Sequence, residues 1–167
     1  MLQKRIPLTF IRIVLICLIA LNLFLIFSFS SQNADQSAKT STEISTSVAE
    51  TVIKDFESKP EAEQQETIMQ IDPWIRSFAH AAEFGALGGL IFLLLMTWTG
   101  RKLRQYGISC GVALITAITD ELLQSFSFGR ATQISDMLVD FSGAVFVCTL
   151  FLGVNLISNR FKKGSDV

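Results

Sequence analysis

The chain has little charge. Only 17% of its 167 residues are Asp, Glu, Lys or Arg, whereas half are hydrophobic, and its mean hydropathy is +0.45. Soluble domains carry roughly a quarter charged residues, so this composition argues against a soluble enzyme and against a disordered chain. The net charge of −1 lacks the basic excess that is typical of nucleic-acid binding. The composition indicates a membrane protein.

Cysteines and cofactor motifs are also scarce. The three cysteines, Cys17, Cys110 and Cys148, lie in apolar runs and are not spaced as metal ligands, so we expect reduced, buried thiols. The sequence contains no internal repeat, low-complexity tract, Walker loop or dinucleotide fingerprint. We therefore expect no cofactor. Composition alone does not indicate which reaction, if any, the protein catalyses.

Four long apolar runs are present instead. A helix needs about 20 mostly apolar residues to cross a bilayer core of about 30 Å, and the runs cover about 8–29, 76–99, 105–124 and 136–158. An open sheet would leave its edge groups unpaired in lipid, and continuous apolar runs do not suit alternating membrane strands. Residues 1–167 are therefore predicted to form one all-α, polytopic membrane domain of four transmembrane helices. Cleavage of the first run as a signal peptide is the alternative, although the run is longer than usual for one.

Lysine and arginine predict the orientation, because they are enriched in cytoplasmic loops. Residues 30–75 hold three lysines against nine acids, a net charge of −6, which predicts an extracytoplasmic segment. Both termini are then cytoplasmic, in a multi-pass membrane protein. Nine basic residues are predicted on the cytoplasmic side: Lys4, Arg5, Arg12, Arg101, Lys102, Arg104, Arg160, Lys162 and Lys163.

The segment 30–75 is polar but has helical periodicity. Ile44, Val48, Val52 and Phe56 recur every four residues, which predicts a helix with an apolar stripe. Pro60 starts a second helical stretch, and the sequence from Asp72 to Trp74 is interpreted as a turn that leads into the second span. We expect a helical hairpin that lies on the bundle or at the membrane surface; a partner-binding lid is the alternative.

Ionisable residues cluster at one end of three spans. A charge inside hydrocarbon costs about 2.5–3.5 kcal/mol on insertion scales, so such residues are functional candidates. Helical spacing places Arg76, His80 and Glu83 on one face, with Glu83 about 10 Å deeper than Arg76. Three further elements bring polar groups to the same predicted depth. The members are Asp120, Glu121 and Gln124 in the third span, Arg130 in the following loop, and Asp136 and Asp140 in the fourth span.

These residue types suggest binding or proton transfer, but also structural roles. The excess of acid predicts carboxyls that stay protonated or a bound cation, and His80 and Glu83 are candidates for acid–base work, with Asp120 and Glu121 as positioning groups. Alternatively, Arg130 pairs with Asp136, His80 is a helix–helix contact, Arg76 anchors the interface, Asp120 is hydrated, and the remaining acids form a structural lock. Two glycine pairs, Gly85/Gly89 and Gly107/Gly111, predict close helix approach.

Four stretches resemble the VanZ-like family of small bacterial membrane proteins. They read R-S-F-A-H-A-A-E-F at 76–84, D-E-L-L-Q-S-F-S-F-G-R at 120–130, D-M-L-V-D-F-S-G at 136–143, and F-S-S-Q at 29–32. The chain departs from the family pattern at Ser77, where a basic residue is frequent, and at Phe128, where a proline is frequent. The resemblance implies a role in low-level resistance to teicoplanin, a glycopeptide that acts on cell-wall precursors outside the cell. The family's polar positions correspond to Arg76, His80, Glu83, Asp120, Glu121, Gln124, Arg130, Asp136 and Asp140.

Three functional hypotheses follow. The first is an envelope factor that binds or modifies an anionic lipid or lipid-linked cell-wall precursor at the outer leaflet, with Arg76, Gln124, Arg130, Asp136 and Asp140 as ligand-binding residues. The second is a non-catalytic scaffold that recruits a partner through segment 30–75. The third is a small proton- or ion-coupled carrier, which the apolar inner halves of the spans disfavour. A metal at His80 and Glu83 is a further possibility, against which the nearby arginines argue.

Overall fold

In a computed structural model, the described residues, 6–130 and 133–164, form five helices joined by short connections, without strands. The helices are α1 (Leu8–Ser30), α2 (Ala34–Val52), α3 (Glu61–Met96), α4 (Lys102–Phe126) and α5 (Ile134–Gly164), and a short 3-10 turn covers Phe56–Ser58. Within this part of the chain, four helices (α1, α3, α4 and α5) are long and apolar enough to cross a membrane. The predicted all-helical, four-span architecture is confirmed.

Two sets of contacts define the ends of the bundle. At one end, Ser30 of α1 donates to Asp120 of α4, and the backbone N–H of Ala34 donates to the carbonyl of Phe128. At the other end, the Arg12 guanidinium donates to the Thr97 carbonyl over 2.8 Å and stacks on the Trp98 ring. We call the first the α2 end, because α2 lies there, and the second the opposite end. Lys4 and Arg5 fall outside the described residues, as do the side chains of Arg160, Lys162 and Lys163.

The predicted turn from Asp72 to Trp74 is wrong. Pro73 lies inside α3, which continues through it for 36 residues, a length of about 54 Å. A proline inside a helix removes one backbone hydrogen bond, but α2 packs along this part of α3 and fixes it from outside: the hydroxyls of Ser41 and Ser45 donate to the Asp72 carboxylate over 2.7 and 2.6 Å. The second span is therefore the latter part of one long helix.

The predicted hairpin is present, but its apolar stripe is not its buried face. Asn33 caps α2 by accepting the N–H of Gln36, and α2 buries the small residues Ser45 and Ala49. Of the four predicted stripe residues, Ile44, Val48 and Val52 remain 47%, 37% and 75% exposed. The fourth, Phe56, lies beyond α2 in the 3-10 turn and is buried. Small side chains let α2 approach α3 closely, which turns the larger ones outward.

Glycines set the contact between α3 and α5. A Cβ at Gly85 or Gly89 would lie 3.0 or 2.9 Å from Val147, so the predicted close approach at this pair is confirmed. The prediction for Gly107 and Gly111 is wrong within this chain, because a Cβ at either would meet no described atom within 4 Å. Neither glycine is therefore at a close contact with another helix of the described chain.

The cysteines are free, as expected, but only two are buried. Cys110 and Cys148 pack with Phe92 in the core. Cys17 is exposed, contrary to the expectation for all three, because only one side of α1 contacts the bundle. The rest of α1 presents exposed leucines, isoleucines and phenylalanines, a surface suited to lipid.

Candidate functional site

A cavity of about 120 Å³ lies at the α2 end, between α1, α2, α3 and α4. Six of the nine predicted site residues line it: Arg76, His80, Glu83, Asp120, Gln124 and Arg130. The structure therefore brings together polar groups from two spans and the loop after α4. A smaller cavity of about 40 Å³ is lined by Arg76, Ser77, His80, Asp136 and Val139, so Asp136 lies near His80 but does not line the larger cavity.

A chain of hydrogen bonds fixes Asp120. Its carboxylate accepts from the Ser30 hydroxyl and, over 2.7 Å, from the Gln124 amide. The Gln124 carbonyl oxygen in turn accepts from Arg130 over 2.6 Å. Asp120 and Gln124 are only 1% and 3% exposed, so Asp120 is a buried, oriented carboxyl rather than a hydrated one at the interface.

Asp140 faces His80 from α5. Their Oδ1 and Nδ1 atoms lie 3.2 Å apart, yet neither atom has a partner with hydrogen-bond geometry. We interpret the pair as a close contact without a well-formed hydrogen bond, since the angular requirement is not met. Asp140 is 1% exposed, so an unpartnered oxygen is buried at this point.

Glu121 lies outside the larger cavity. One of its oxygens accepts the backbone N–H of Gln133, just before α5 begins, and the other is buried without a partner. This contact ties the end of α4 to the start of α5 and orients the loop between them. The geometry suits a positioning residue.

The two arginines are not used in ion pairs with the buried acids. Arg76 donates to the Ser37 hydroxyl over 3.3 Å and Arg130 to Gln124. Among the described residues, neither guanidinium lies within 4.0 Å of a carboxylate oxygen, so the alternative that Arg130 pairs with Asp136 is not observed. Burial, and then the like charge of the neighbouring Arg76, lower the pKa of Arg130.

Part of the cavity lining is apolar. Ile26 and Phe29 of α1, Ile44 of α2 and Ile75 of α3 line it beside the charged groups. Cavities that combine an apolar wall with a few polar groups are typical of small-molecule sites. This arrangement suits an amphiphile, with its head group toward the arginines and its hydrocarbon along the wall.

Sequence reasoning missed the contributions of α1 and α2. Ser30 binds Asp120, Ser37 binds Arg76, and Gln32 and Ser41 also line the cavity. Hydroxyl and amide side chains carry no distinctive spacing, so no periodic pattern singles them out. The one available signal was the resemblance of residues 29–32 to the VanZ-like family.

Comparison with known proteins supports the resemblance. The family model described as VanZ/LLP1 matches residues 13–157, which include all of α3 and α4, most of α1 and α5, and every residue that lines the larger cavity. No curated protein and no solved structure gives a significant match. Because the family model covers most of the chain, this protein belongs to the VanZ/LLP1 family.

Proposed function

We propose that this protein binds an anionic, phosphate-bearing lipid or lipid-linked cell-wall precursor at the outer leaflet of the plasma membrane. In this orientation the α2 end is extracytoplasmic and both termini are cytoplasmic, as the basic residues predict. Occupying or modifying such a lipid changes the access of a teicoplanin-type glycopeptide to its target. The family and the four apolar helices support an integral membrane protein of the cell envelope.

The observation that carries the proposal is the pair of arginines beside the cavity. Arg76 and Arg130 are both half-buried and lack carboxylate partners among the described residues. Guanidinium groups bind phosphate through strong, charge-assisted hydrogen bonds. A phosphate between them would relieve their mutual repulsion, and the acids deeper in the cavity would exclude a head group from going further.

The binding test uses the purified full-length protein in detergent and native mass spectrometry. We expect phosphatidylglycerol to remain bound in preference to phosphatidylcholine. Arg76→Gln and Arg130→Gln should each lower its occupancy about tenfold or more, because a charged hydrogen bond contributes about 1.5–3 kcal/mol. The matched control is Arg104→Gln, an exposed arginine at the opposite end. Equal binding of the two lipids, or an equal loss in the control, contradicts the proposal.

A cellular test separates lipid modification from simple binding. His80 and Glu83 line the cavity and are the candidates for proton transfer. If the lipid is modified, His80→Ala and Glu83→Gln should abolish protection against teicoplanin while the protein still accumulates. Full protection by both variants would exclude acid–base chemistry at these residues.

A non-catalytic scaffold is the second candidate, and the exposed stripe of α2 favours it. Val48 and Val52 are turned away from the bundle and are available to a partner. Under this hypothesis a Val48→Ser/Val52→Ser variant loses a co-purifying partner and the phenotype, whereas His80→Ala retains both. The opposite result favours the lipid-binding proposal.

A further inference from the structure

We propose that His80, Asp120 and Asp140 form a binding site for one divalent cation of the zinc or manganese type. The three residues come from α3, α4 and α5, and each offers one ligand atom within 4.8 Å of the other two. Metal–ligand bonds of about 2.0–2.2 Å place tetrahedral ligands about 3.4 Å apart, so side-chain shifts of about 1 Å would close the set around an ion. Its ligands differ from the proposed head-group contacts at Arg76 and Arg130, although His80 and Asp120 line the same cavity.

The contact between His80 and Asp140 points to a ligand. The Asp140 Oδ1 and His80 Nδ1 atoms face each other across 3.2 Å, both buried and both without a hydrogen bond. Buried polar atoms are almost always partnered, and leaving them unpartnered costs about 1–3 kcal/mol per group. A cation between these two atoms and Asp120 would satisfy both.

Asp120 is held as metal-ligating carboxylates usually are. The Ser30 hydroxyl and the Gln124 amide donate to it, and Arg130 orients Gln124. Hydrogen bonds from such outer residues fix the direction of a ligating carboxylate. A carboxylate oxygen has two lone pairs, so these bonds leave room for coordination.

The charge balance also favours a cation. Asp120 and Asp140 are each 1% exposed, and Glu121 is 5% exposed. Among the described residues, none of these carboxylates lies within 4.0 Å of a guanidinium or ammonium group. Buried carboxylates without a compensating charge are costly in a membrane protein, and one divalent ion would neutralise Asp120 and Asp140 together.

The chemistry of the three ligands limits which divalent ions are suited to the site. One imidazole and two carboxylates suit Zn²⁺ or Mn²⁺, whereas Mg²⁺ and Ca²⁺ prefer oxygen ligands throughout. Three protein ligands leave a coordination position open in a tetrahedral site. Because His80 and Asp120 line the 120 Å³ cavity, we expect this position to face its interior, within reach of a bound molecule.

The test uses the metal alone as probe. The full-length protein is purified in detergent, stripped with EDTA and dialysed against Zn²⁺ or Mn²⁺; bound Zn²⁺ is measured by elemental analysis and free Mn²⁺ by electron paramagnetic resonance. We expect one ion per chain. Asp140→Asn should weaken binding at least tenfold, and Gln124→Ala, which removes an outer hydrogen bond, should weaken it about 10–100-fold.

The matched control is Glu66→Gln, which removes an exposed carboxylate of α3 and should bind as the parent does. Gel filtration of each variant verifies that it is folded.

The parent protein alone is a sufficient test of the proposal: substantially less than one bound ion per chain overturns it. Undiminished binding by folded Asp140→Asn also overturns it. Because no lipid is added, failure here leaves the arginine proposal intact, and failure of the lipid assay leaves this one intact.

Discussion

Ser30 connects the end of α1 to the candidate site. Its hydroxyl is 3% exposed and donates to the buried Asp120 carboxylate. The next residue, Ser31, is exposed and donates only to the carbonyl of Ser28 in its own helix. Two adjacent serines thus differ entirely in what they contribute, because only one faces α4.

Ser30→Ala should destabilise the protein, whereas Ser31→Ala should not. A hydrogen bond to a charged group contributes about 1.5–3 kcal/mol, so the Ser30 variant should lose about that free energy of unfolding. The measurement is denaturant unfolding in detergent followed by circular dichroism. Similar losses for the two variants would show that the bond to Asp120 contributes nothing specific.

Gly143 allows the closest approach between α3 and α5. A Cβ at this position would lie 2.7 Å from the carbonyl carbon and 2.8 Å from the Cα of Ala81. Both are backbone atoms, so rotation of a side chain cannot relieve the overlap. One turn away, Asp140 reaches His80 from the same helix; the glycine therefore brings the two residues within contact distance.

Gly143→Ala is expected to force α3 and α5 apart and to cost about 1–3 kcal/mol of stability, as overpacking does. Gly153→Ala on the same helix is the matched control, because a Cβ there meets no described atom within 4 Å. It should be neutral or stabilise by up to about 1 kcal/mol through helix propensity. Thermal unfolding in detergent distinguishes the two, and equal melting temperatures would refute the packing argument.

At the scale of elements, the two parts of α3 have different neighbours. Its latter part packs in the bundle, with Phe84 and Leu87 fully buried, while its first part supports α2. The link between them is Asp72, which accepts from Ser41 and Ser45 of α2. The apolar periodicity of α2 correctly predicted a helix but not its buried face, because periodicity does not reveal which neighbour is available to pack.

Asp72→Ala should loosen α2 without unfolding the bundle. Losing both hydrogen bonds to a carboxylate should speed amide hydrogen exchange in α2 at least about tenfold, while exchange in α4 and α5 stays slow. Glu43→Ala, an exposed acid of α2, is the control. Unchanged protection of α2 in the Asp72 variant would show that other contacts hold the hairpin.

At the scale of the whole molecule, acids and bases are separated along the chain. Segment 30–75 has a net charge of −6, whereas basic residues lie before the first apolar run, between the second and third runs, and after the fourth. One contact in the structure agrees with this separation of charge: Arg12 donates to the Thr97 carbonyl and stacks on Trp98 at the end opposite α2. The separation predicts the α2 end outside the cell and the loop between α3 and α4 inside.

The orientation can be measured with single cysteines in a variant that lacks Cys17, Cys110 and Cys148. Thr42 on α2 and Thr99 between α3 and α4 are both exposed and offer matched substitutions. Thr42→Cys should react with a membrane-impermeant maleimide in intact cells, and Thr99→Cys only after permeabilisation. The reverse pattern would show that the α2 end, and with it the candidate site, faces the cytoplasm.

The sequence alone determined the all-helical class, the four spans and the group of polar residues at one end. These features depend on hydrophobicity along one dimension and on the fixed rise of a helix, so the order of residues is enough to assign His80, Asp120 and Asp140 to a common depth. The family model agrees with the resemblance that those residues suggested.

Only the tertiary structure decided which of these groups touch. Ser30 donates a hydrogen bond to Asp120, and His80 lies beside Asp140. Arg130 donates to Gln124 and does not pair with Asp136. Such pairings depend on how each helix is rotated and how closely it is packed, as the contact of Gly143 with Ala81 shows. The same packing carries α3 through Pro73 and turns the apolar stripe of α2 outward, because contacts between helices outweigh the local preferences of single residues.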